Sequence, residues 1–301
     1  MHSQRPSKTP GSRREAWTGI AFVLPSVIGF AVFVLVPLLV ALLLSFTQYD
    51  IINPPRWVGL ANFARMASDH RMTVTWGNTV IYVAAAVLLI NGLGLGAAVL
   101  LSRKLPGSMR TVLRSVYFFP SLVGLAYVSI IWQALMQRDT GIVNYYITLM
   151  GGSRVDWLNG TTAAMISVIV VDTWRNVGFT MLVYVSALQE VSITLLEAAQ
   201  IDGAGPWRTF RRITLPLISP AIFFNVTTVT IGAFQIYESI IVLTGGGPGD
   251  ASRSIVMYLA EQAFHQYNMG YASAIGVSLF VIILALTALQ FMLRGKWVHH
   301  E

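Results

Sequence analysis

Carboxylate, amide and aromatic side chains are grouped at two places in an otherwise apolar sequence, within the stretches 162–188 and 216–243. The residues in the two groups are Asp172, Trp174, Arg175, Asn176, Gln235, Tyr237 and Glu238. Carboxylates and amides bind hydroxyl groups, and an aromatic ring can stack on the C–H face of a sugar ring. These residue types therefore suggest a binding site for a hydroxyl-rich solute.

Asp172 and Arg175 are three positions apart, so on a helix they share a face and can pair. Ionisable side chains in an apolar segment are costly and usually face a cavity or a neighbouring protein. One interpretation is a structural ion pair that packs this segment against a partner subunit. The other is that both residues border a solute path, and the sequence leaves the two open.

Small and polar residues follow helical spacing along the stretch 216–243. They are Thr228, Gly232, Gln235 and either Glu238 or Ser239. Exposing these polar side chains to lipid would be energetically costly, so we expect the stripe to face a solute path or a partner subunit. Tyr237 is expected to point away from the stripe.

The composition is that of an integral membrane protein. The chain has 301 residues, of which 55% are hydrophobic and 11% charged, and its mean hydropathy is +0.64. Soluble domains carry about a quarter charged residues, which is what a water-facing surface of this size needs. The sequence contains no cysteine, which excludes disulfides, thiolate metal sites and cysteine nucleophiles.

Six apolar stretches are each long enough, at roughly 20 residues, to cross a bilayer as a helix. They are residues 17–46, 73–101, 115–136, 162–188, 216–243 and 269–293. We therefore predict an all-α membrane protein with a basic N-terminal segment 1–16, a first span 17–46, a main transmembrane domain 72–293 and a tail 294–301.

The basic residues predict how the chain is oriented. Thirteen Lys and Arg residues fall in the two termini and the second and fourth loops, and six fall in the odd-numbered loops. Because cytoplasmic loops carry the excess of Lys and Arg, both termini are expected in the cytoplasm.

The fourth loop, residues 197–220, has the pattern of two short helices with a bend. Gly203 can adopt the positive φ of a helix stop, and Pro206 suits the first turn of a new helix. The first piece is small and acidic, whereas the second alternates apolar and basic positions. The apolar positions are Trp207, Phe210 and Ile213, and the basic ones are Arg208, Arg211 and Arg212.

This loop resembles the EAA loop of type I ABC importer permeases. The family pattern is E-A-A-x-x-D-G-A, five variable residues, then F-x-x-I-x-L-P-x-x-x-P. Each of its 11 fixed positions is matched within 24 residues. The matching residues are Glu197, Ala198, Ala199, Asp202, Gly203, Ala204, Phe210, Ile213, Leu215, Pro216 and Pro220.

The resemblance implies a type-1 ABC transmembrane fold and a non-catalytic role. In the family the loop docks into a cleft on an ATP-binding subunit, so Glu197 would make the charged contact, Gly203 the bend, and Arg208 would belong to the same surface. The implied partners are a second homologous permease, two ATP-binding subunits and an extracytoplasmic solute-binding protein. This chain would hold no cofactor, since ATP and Mg²⁺ would bind the ATPase, and it would reside in a bacterial cytoplasmic membrane.

Looser motifs indicate the subfamily. Residues 234–248, 270–274 and 57–63 are similar to segments of carbohydrate permeases of the maltose and glycerol-3-phosphate type. The resemblance implies import of an oligosaccharide or a glycerol-phosphate-like solute.

Three other functions remain to be weighed against this one. An ABC importer permease for a non-sugar solute would share the loop. An ion-coupled secondary transporter could use the intramembrane carboxylates, although that class often has inverted repeats and typically more spans. A channel or membrane scaffold is the third, and neither of these last two requires the segment 197–220.

Overall fold

The computed structural model describes residues 11–102 and 106–295, and most of them are helical. Four helices are long and apolar enough to cross a bilayer: Trp17–Leu44, His70–Leu101, Thr161–Glu190 and Met269–Arg294. Two bent pairs, Gly107–Leu122 with Leu125–Leu135 and Pro206–Leu217 with Ser219–Phe234, meet the same requirement. Counting each bent pair as one span gives six in this part of the chain, numbered here spans 1 to 6 in chain order, and confirms the predicted all-α fold.

Shorter elements connect the spans. The additional helices are Ala61–Ser68, Ile142–Leu149, Ile193–Ile201, Glu238–Leu243 and Ile255–Ala260. Single π-helical turns occupy Ala31–Leu35, Phe210–Thr214 and Glu261–His265. The strands Thr47–Gln48 and Arg56–Trp57 pair antiparallel, with Thr47 opposite Trp57. The basic segment predicted at 1–16 and the tail predicted at 294–301 lie largely outside the described residues, as do Arg103 and Lys104.

Span 3 is broken, and the prediction of a continuous helix over residues 115–136 is wrong. Its two helices meet at an angle of 100° across Val123 and Gly124. Gly124 has extended dihedrals and no Cβ to favour the helix. The Arg175 Nε donates a 3.1 Å hydrogen bond to the Val123 carbonyl oxygen, which a continuous helix would have used internally. A break inside an apolar segment is tolerated because the freed backbone group finds this partner.

Span 5 is bent by 68° between Leu217 and Ser219. The chain breaks again after Phe234, before the short helix that follows span 5, which corrects the prediction of one helix over residues 216–243. Helix Ser219–Phe234 is followed by the non-helical residues 235–237 and then by helix Glu238–Leu243. Tyr237, with φ −147°, directs the chain into the second helix. The Ser254 hydroxyl donates a 2.7 Å hydrogen bond to the Ile236 carbonyl oxygen, so a backbone group freed by this break also has a hydrogen-bond partner.

Span 4 is the central element because it contacts both halves of the broken span 3 and the long span 2. Glycines permit span 4 to approach spans 3 and 2 closely. A Cβ at Gly178 would meet the backbone of Tyr117 and Phe118 in span 3, and a Cβ at Gly94 would lie 2.9 Å from Thr180 Cγ2. Span 4 therefore places its polar residues next to the breaks in spans 3 and 5.

A polar network joins the start of span 2 to the loop between spans 5 and 6. The Arg71 guanidinium binds both carboxylate oxygens of Asp250, at 2.9 and 2.8 Å. Arg253 also binds Asp250, at 2.5 Å. The hydrogen bond from Arg71, with the one from Arg253, holds the pKa of Asp250 below its usual value although partial burial opposes this. The network fixes one end of the bundle, here called the odd-loop end.

Asp69 caps the first turn of span 2 in the same network. Its Oδ1 accepts the backbone N–H of Arg71 at 3.0 Å, and its Oδ2 accepts the hydroxyls of Tyr258 and Tyr271 at 2.5 and 2.7 Å. Burial alone would raise the pKa of Asp69, but these hydrogen bonds outweigh it and the net shift is downward. Asp69 thus ties span 2 to the segments around span 6.

Candidate functional site

A cavity of about 510 Å³ lies among spans 2, 4 and 5, beside the break in span 3. Six of the seven residues predicted to border a solute path line it: Asp172, Arg175, Asn176, Gln235, Tyr237 and Glu238. The remaining wall includes Tyr82, Ile90, Leu125, Phe179, Thr180, Thr228, Val229, Gly232, Ala233 and Ile236. The two separate sequence groups therefore form one site.

Asp172 is a deeply enclosed carboxylate of this cavity, with 4% of its surface exposed. Its Oδ2 accepts a short hydrogen bond from the Tyr82 hydroxyl. Its Oδ1 is buried and has no hydrogen-bond partner in the structure. Because buried polar atoms are nearly always paired, this oxygen is available to a donor that enters the cavity.

Arg175 forms no salt bridge with Asp172 among the described contacts, which disfavours the structural ion pair, one of the two alternatives that the sequence left open. Its Nε is bound to the Val123 carbonyl oxygen, and its Nη1 is 3.4 Å from the Asn176 Oδ1. The broken span 3 supplies a backbone acceptor that a continuous helix would have lacked, so the guanidinium turns toward the break. Both residues nevertheless line the same cavity.

The polar stripe of span 5 faces the cavity through Thr228, Gly232, Gln235 and Glu238. Ser239, the alternative to Glu238, is fully buried and is not part of the lining. Tyr237 also lines the cavity, so the prediction that it points away is wrong. That prediction assumed an unbroken helix, whereas the break at residues 235–237 rotates Tyr237 inward.

Trp174 is the one predicted solute-path residue outside the lining. Its ring packs edge-on against Trp132 of span 3, with centroids 5.6 Å apart. Nearly half of its surface is exposed. An aromatic face inside the cavity comes instead from Tyr82, Phe179 and Tyr237.

Tyr82 is a site residue that the sequence did not reveal. It lies 90 positions before Asp172 in the chain, within the apolar run of span 2. A tyrosine on an apolar helix is usually an ordinary packing residue, so only the pairing of spans 2 and 4 identifies its role.

The segment 197–220 has the predicted bend. Helix Ile193–Ile201 ends before Gly203, whose φ is +74°, and Pro206 is the first residue of the next helical turn. The Ala204 N–H bonds back to the Ala199 carbonyl oxygen at 2.9 Å, closing the stop. The predicted helix stop and restart are confirmed, and they leave Glu197, Ala198 and Asp202 exposed with Ala199 buried beneath them.

The second half of this segment carries the apolar and basic residues. The Trp207 and Phe210 rings stack with centroids 5.9 Å apart, and 71% of Trp207 is exposed. Ile213, Leu215 and Pro216 are half-buried, whereas Arg208, Arg211 and Arg212 are exposed. The segment thus presents acidic, apolar and basic surface between span 4 and the helix Ser219–Phe234 of span 5.

The six-span helical fold with a polar cavity among its spans is that of a membrane transport protein. Residues 90–298 match the family described as the binding-protein-dependent transport system inner membrane component. The match covers more than half of the chain, so the protein belongs to this family.

Full-length relatives carry permease names. The chain is 34% identical over 299 residues to the probable ABC transporter permease protein YesP of Bacillus subtilis, covering 98% of this chain and 96% of the relative. It is 33% identical over 278 residues to the trehalose/maltose transport system permease protein MalF of Thermococcus litoralis, covering 91% and 92%. The resemblance to ABC importer permeases is confirmed.

Solved structures agree in fold. The chain is similar to a chain in the crystal structure of a bacterial ABC transporter that imports the acidic polysaccharide alginate. The TM-score is 0.84 at 22% identity, with 95% of this chain and 98% of that chain covered. A second structure, of a bacterial alginate ABC transporter in complex with an alginate pentasaccharide-bound periplasmic protein, is similar with a TM-score of 0.86 at 20% identity.

Proposed function

We propose that this chain is one permease subunit of an ATP-driven, binding-protein-dependent importer that takes a sugar or sugar-like solute across a bacterial cytoplasmic membrane. It works beside a second, homologous permease. Two ATP-binding subunits attach on the cytoplasmic side, where ATP and Mg²⁺ bind, and a solute-binding protein delivers the solute on the other. Both termini of this chain face the cytoplasm.

The exposed segment 197–220 is the observation that carries the proposal. An isolated surface loop would be expected to bury its apolar residues, yet Ile201 and Trp207 are both largely exposed. Such apolar patches next to charged residues are typical of protein interaction sites. The segment docks on the ATP-binding subunit through Glu197 and transmits its motion across Gly203 to span 5.

The sugar class is supported by relatives rather than by this chain alone. The relatives include a permease named for trehalose and maltose and one named for arabinooligosaccharides, the latter 30% identical over 278 residues. The cavity supplies the groups that such a solute needs, namely carboxylate and amide acceptors beside aromatic rings. Asp172, Asn176, Gln235, Tyr237 and Glu238 form its solute contacts.

The coupling role is tested with the charge reversal Glu197→Lys and with Gly203→Pro. Each variant is expected to insert and assemble normally but to lose at least about tenfold of solute-stimulated ATPase activity and uptake. Glu197→Lys removes a charged interface contact, worth about 2 kcal/mol or more, and Gly203→Pro forbids the φ of +74° that forms the bend. The measurement uses the four-subunit complex in proteoliposomes with its binding protein. Glu190→Lys is the matched control, because Glu190 is an exposed glutamate outside the segment. Normal coupled uptake by both variants would rule out the coupling role.

The same vesicles distinguish the ion-coupled alternative. Uptake should require ATP on the side of the membrane where the ATP-binding subunits lie. It should be unaffected when proton and sodium gradients are collapsed. Uptake that continues without ATP and follows an ion gradient would instead identify a secondary transporter.

A further inference from the structure

We infer that the cavity accepts a hydroxyl-donating solute without negative charge and excludes phosphorylated, sulfonated and uronate sugars. This inference narrows the sugar class and therefore rests on the proposed function. It depends on two features of the cavity: a buried acceptor without a partner and an excess of carboxylates over basic groups.

The buried acceptor is the Asp172 Oδ1. The carboxylate is held in place because the Tyr82 hydroxyl occupies Oδ2. Oδ1 is left as an acceptor with no donor from the described chain. A solute hydroxyl would satisfy it, whereas a second anionic oxygen brings no proton and would leave it unpaired.

The charge balance acts in the same direction. The lining contains two carboxyl side chains, Asp172 and Glu238, and one basic side chain, Arg175. Two carboxylates therefore face one guanidinium. Recognition of a phosphate, sulfonate or carboxylate normally uses a free guanidinium fork. Here the Nε of Arg175 is bound to the Val123 carbonyl oxygen and Nη1 is beside the Asn176 Oδ1, so two of its three nitrogens already have protein acceptors.

The remaining lining suits an uncharged ring with hydroxyl groups. Thr228 and Gln235 present neutral donors and acceptors, and Leu125 and Ile236 present apolar surface to C–H groups. The volume of about 510 Å³ is within the usual range for small-molecule sites. Arg175 is the only basic side chain of the lining that could compensate a negative charge on the solute, and it is already hydrogen-bonded to the protein.

The absence of cysteine from the sequence makes a direct test possible. Thr228→Cys places a thiol in the cavity at an exposed position, and Ser153→Cys places one on an exposed loop as a reference. Each variant, assembled with its partner permease and ATPase, is reacted with a trimethylammonium-bearing and a sulfonate-bearing methanethiosulfonate of similar size. The cation-to-anion rate ratio at Thr228→Cys should exceed that at Ser153→Cys by at least about tenfold, because nearby carboxylates attract one reagent and repel the other.

Removing the carboxylate charge should reduce this ratio. Asp172→Asn in the Thr228→Cys background keeps the shape of the side chain and is expected to lower the ratio roughly threefold or more. Asp139→Asn, on an exposed carboxylate of the odd-loop end, should leave it unchanged. A Thr228→Cys ratio no higher than the Ser153→Cys ratio, or one unaffected by Asp172→Asn, would overturn the inference.

The two proposals fail separately in these experiments. Thiol modification requires only an assembled complex and does not depend on coupling. A low charge ratio with uptake that depends on Glu197 would overturn the charge selectivity alone. The expected ratio with uptake that survives Glu197→Lys would overturn the coupling role alone.

Discussion

At the residue scale, the polar side chains of this protein act by satisfying backbone groups and one another across long sequence distances. Arg71 and Asp250 are 179 positions apart, and Tyr82 and Asp172 are 90 apart. The sequence indicated that Asp172 and Arg175 belonged to a polar site because charged residues are rare in apolar stretches. It could not assign their partners, since those depend on which spans are neighbours and on a backbone carbonyl exposed by a helix break.

Asp250 gives a test at this scale because both Arg71 and Arg253 bind its carboxylate. Asp250→Asn should destabilise the purified complex by about 2 kcal/mol, since hydrogen bonds to charged groups are worth 1.5–3 kcal/mol. The matched control is Asp139→Asn, whose bridge to Arg154 is exposed on both sides and should contribute little. Thermal unfolding of the variants in the same detergent measures the difference.

The pH dependence follows from the lowered pKa of Asp250. A carboxyl whose folded pKa is depressed contributes stability above its unfolded value of about 3.9, and that contribution is lost as the pH falls through the lower folded value. The difference in stability between wild type and Asp250→Asn should therefore stay constant from about pH 8 to 5 and disappear only at more acidic pH. A gap that disappears between pH 7 and 6 would contradict this assignment of the bridge.

At the scale of the elements, hydrophobicity and length located the spans, whereas the breaks required tertiary information. The predicted stretches 73–101, 162–188 and 269–293 correspond to single helices His70–Leu101, Thr161–Glu190 and Met269–Arg294. The stretches 115–136 and 216–243 are equally apolar but broken. Each break is stabilised by a polar group from elsewhere, Arg175 in one and Ser254 in the other. The bend at Gly203 and Pro206 was predictable because the backbone chemistry of these residues is local.

The packing of span 4 on span 3 gives a test at this scale. Gly178→Ala should destabilise the complex by about 1–3 kcal/mol, the usual cost of overpacking. The new Cβ would meet the Tyr117 carbonyl and lie 2.9 Å from the Phe118 Cα, and backbone atoms can yield only if the helix shifts. Gly96→Ala is the matched control, since nothing lies within 4 Å of a Cβ there. Equal unfolding temperatures for the two variants would show that spans 3 and 4 do not pack this closely.

At the scale of the whole molecule, the chain has the surface of a subunit rather than of a complete transporter. None of the described side chains of span 1, Trp17–Leu44, is buried within the chain. The segment 197–220 also has many exposed residues, and these include charged as well as apolar side chains. Both surfaces agree with the family to which the chain belongs, which is described as an inner membrane component of a binding-protein-dependent transport system. Composition alone predicted the membrane class, but only the motif in the fourth loop predicted the kind of assembly.

The orientation of the bundle is the prediction on which the assembly depends, because the ATP-binding subunits can reach the segment 197–220 only from the cytoplasm. The excess of Lys and Arg in the even-numbered loops predicts that the loop between spans 2 and 3 is cytoplasmic and that the loop between spans 3 and 4 is not. Ser108 and Ser153 are exposed positions at these two places. In intact cells or spheroplasts, a membrane-impermeant maleimide should label Ser153→Cys at once and Ser108→Cys only after permeabilisation. The reverse pattern would place the segment 197–220 outside the cell, where no ATP-driven subunit could bind it, and would refute both the orientation and the coupling role of Glu197.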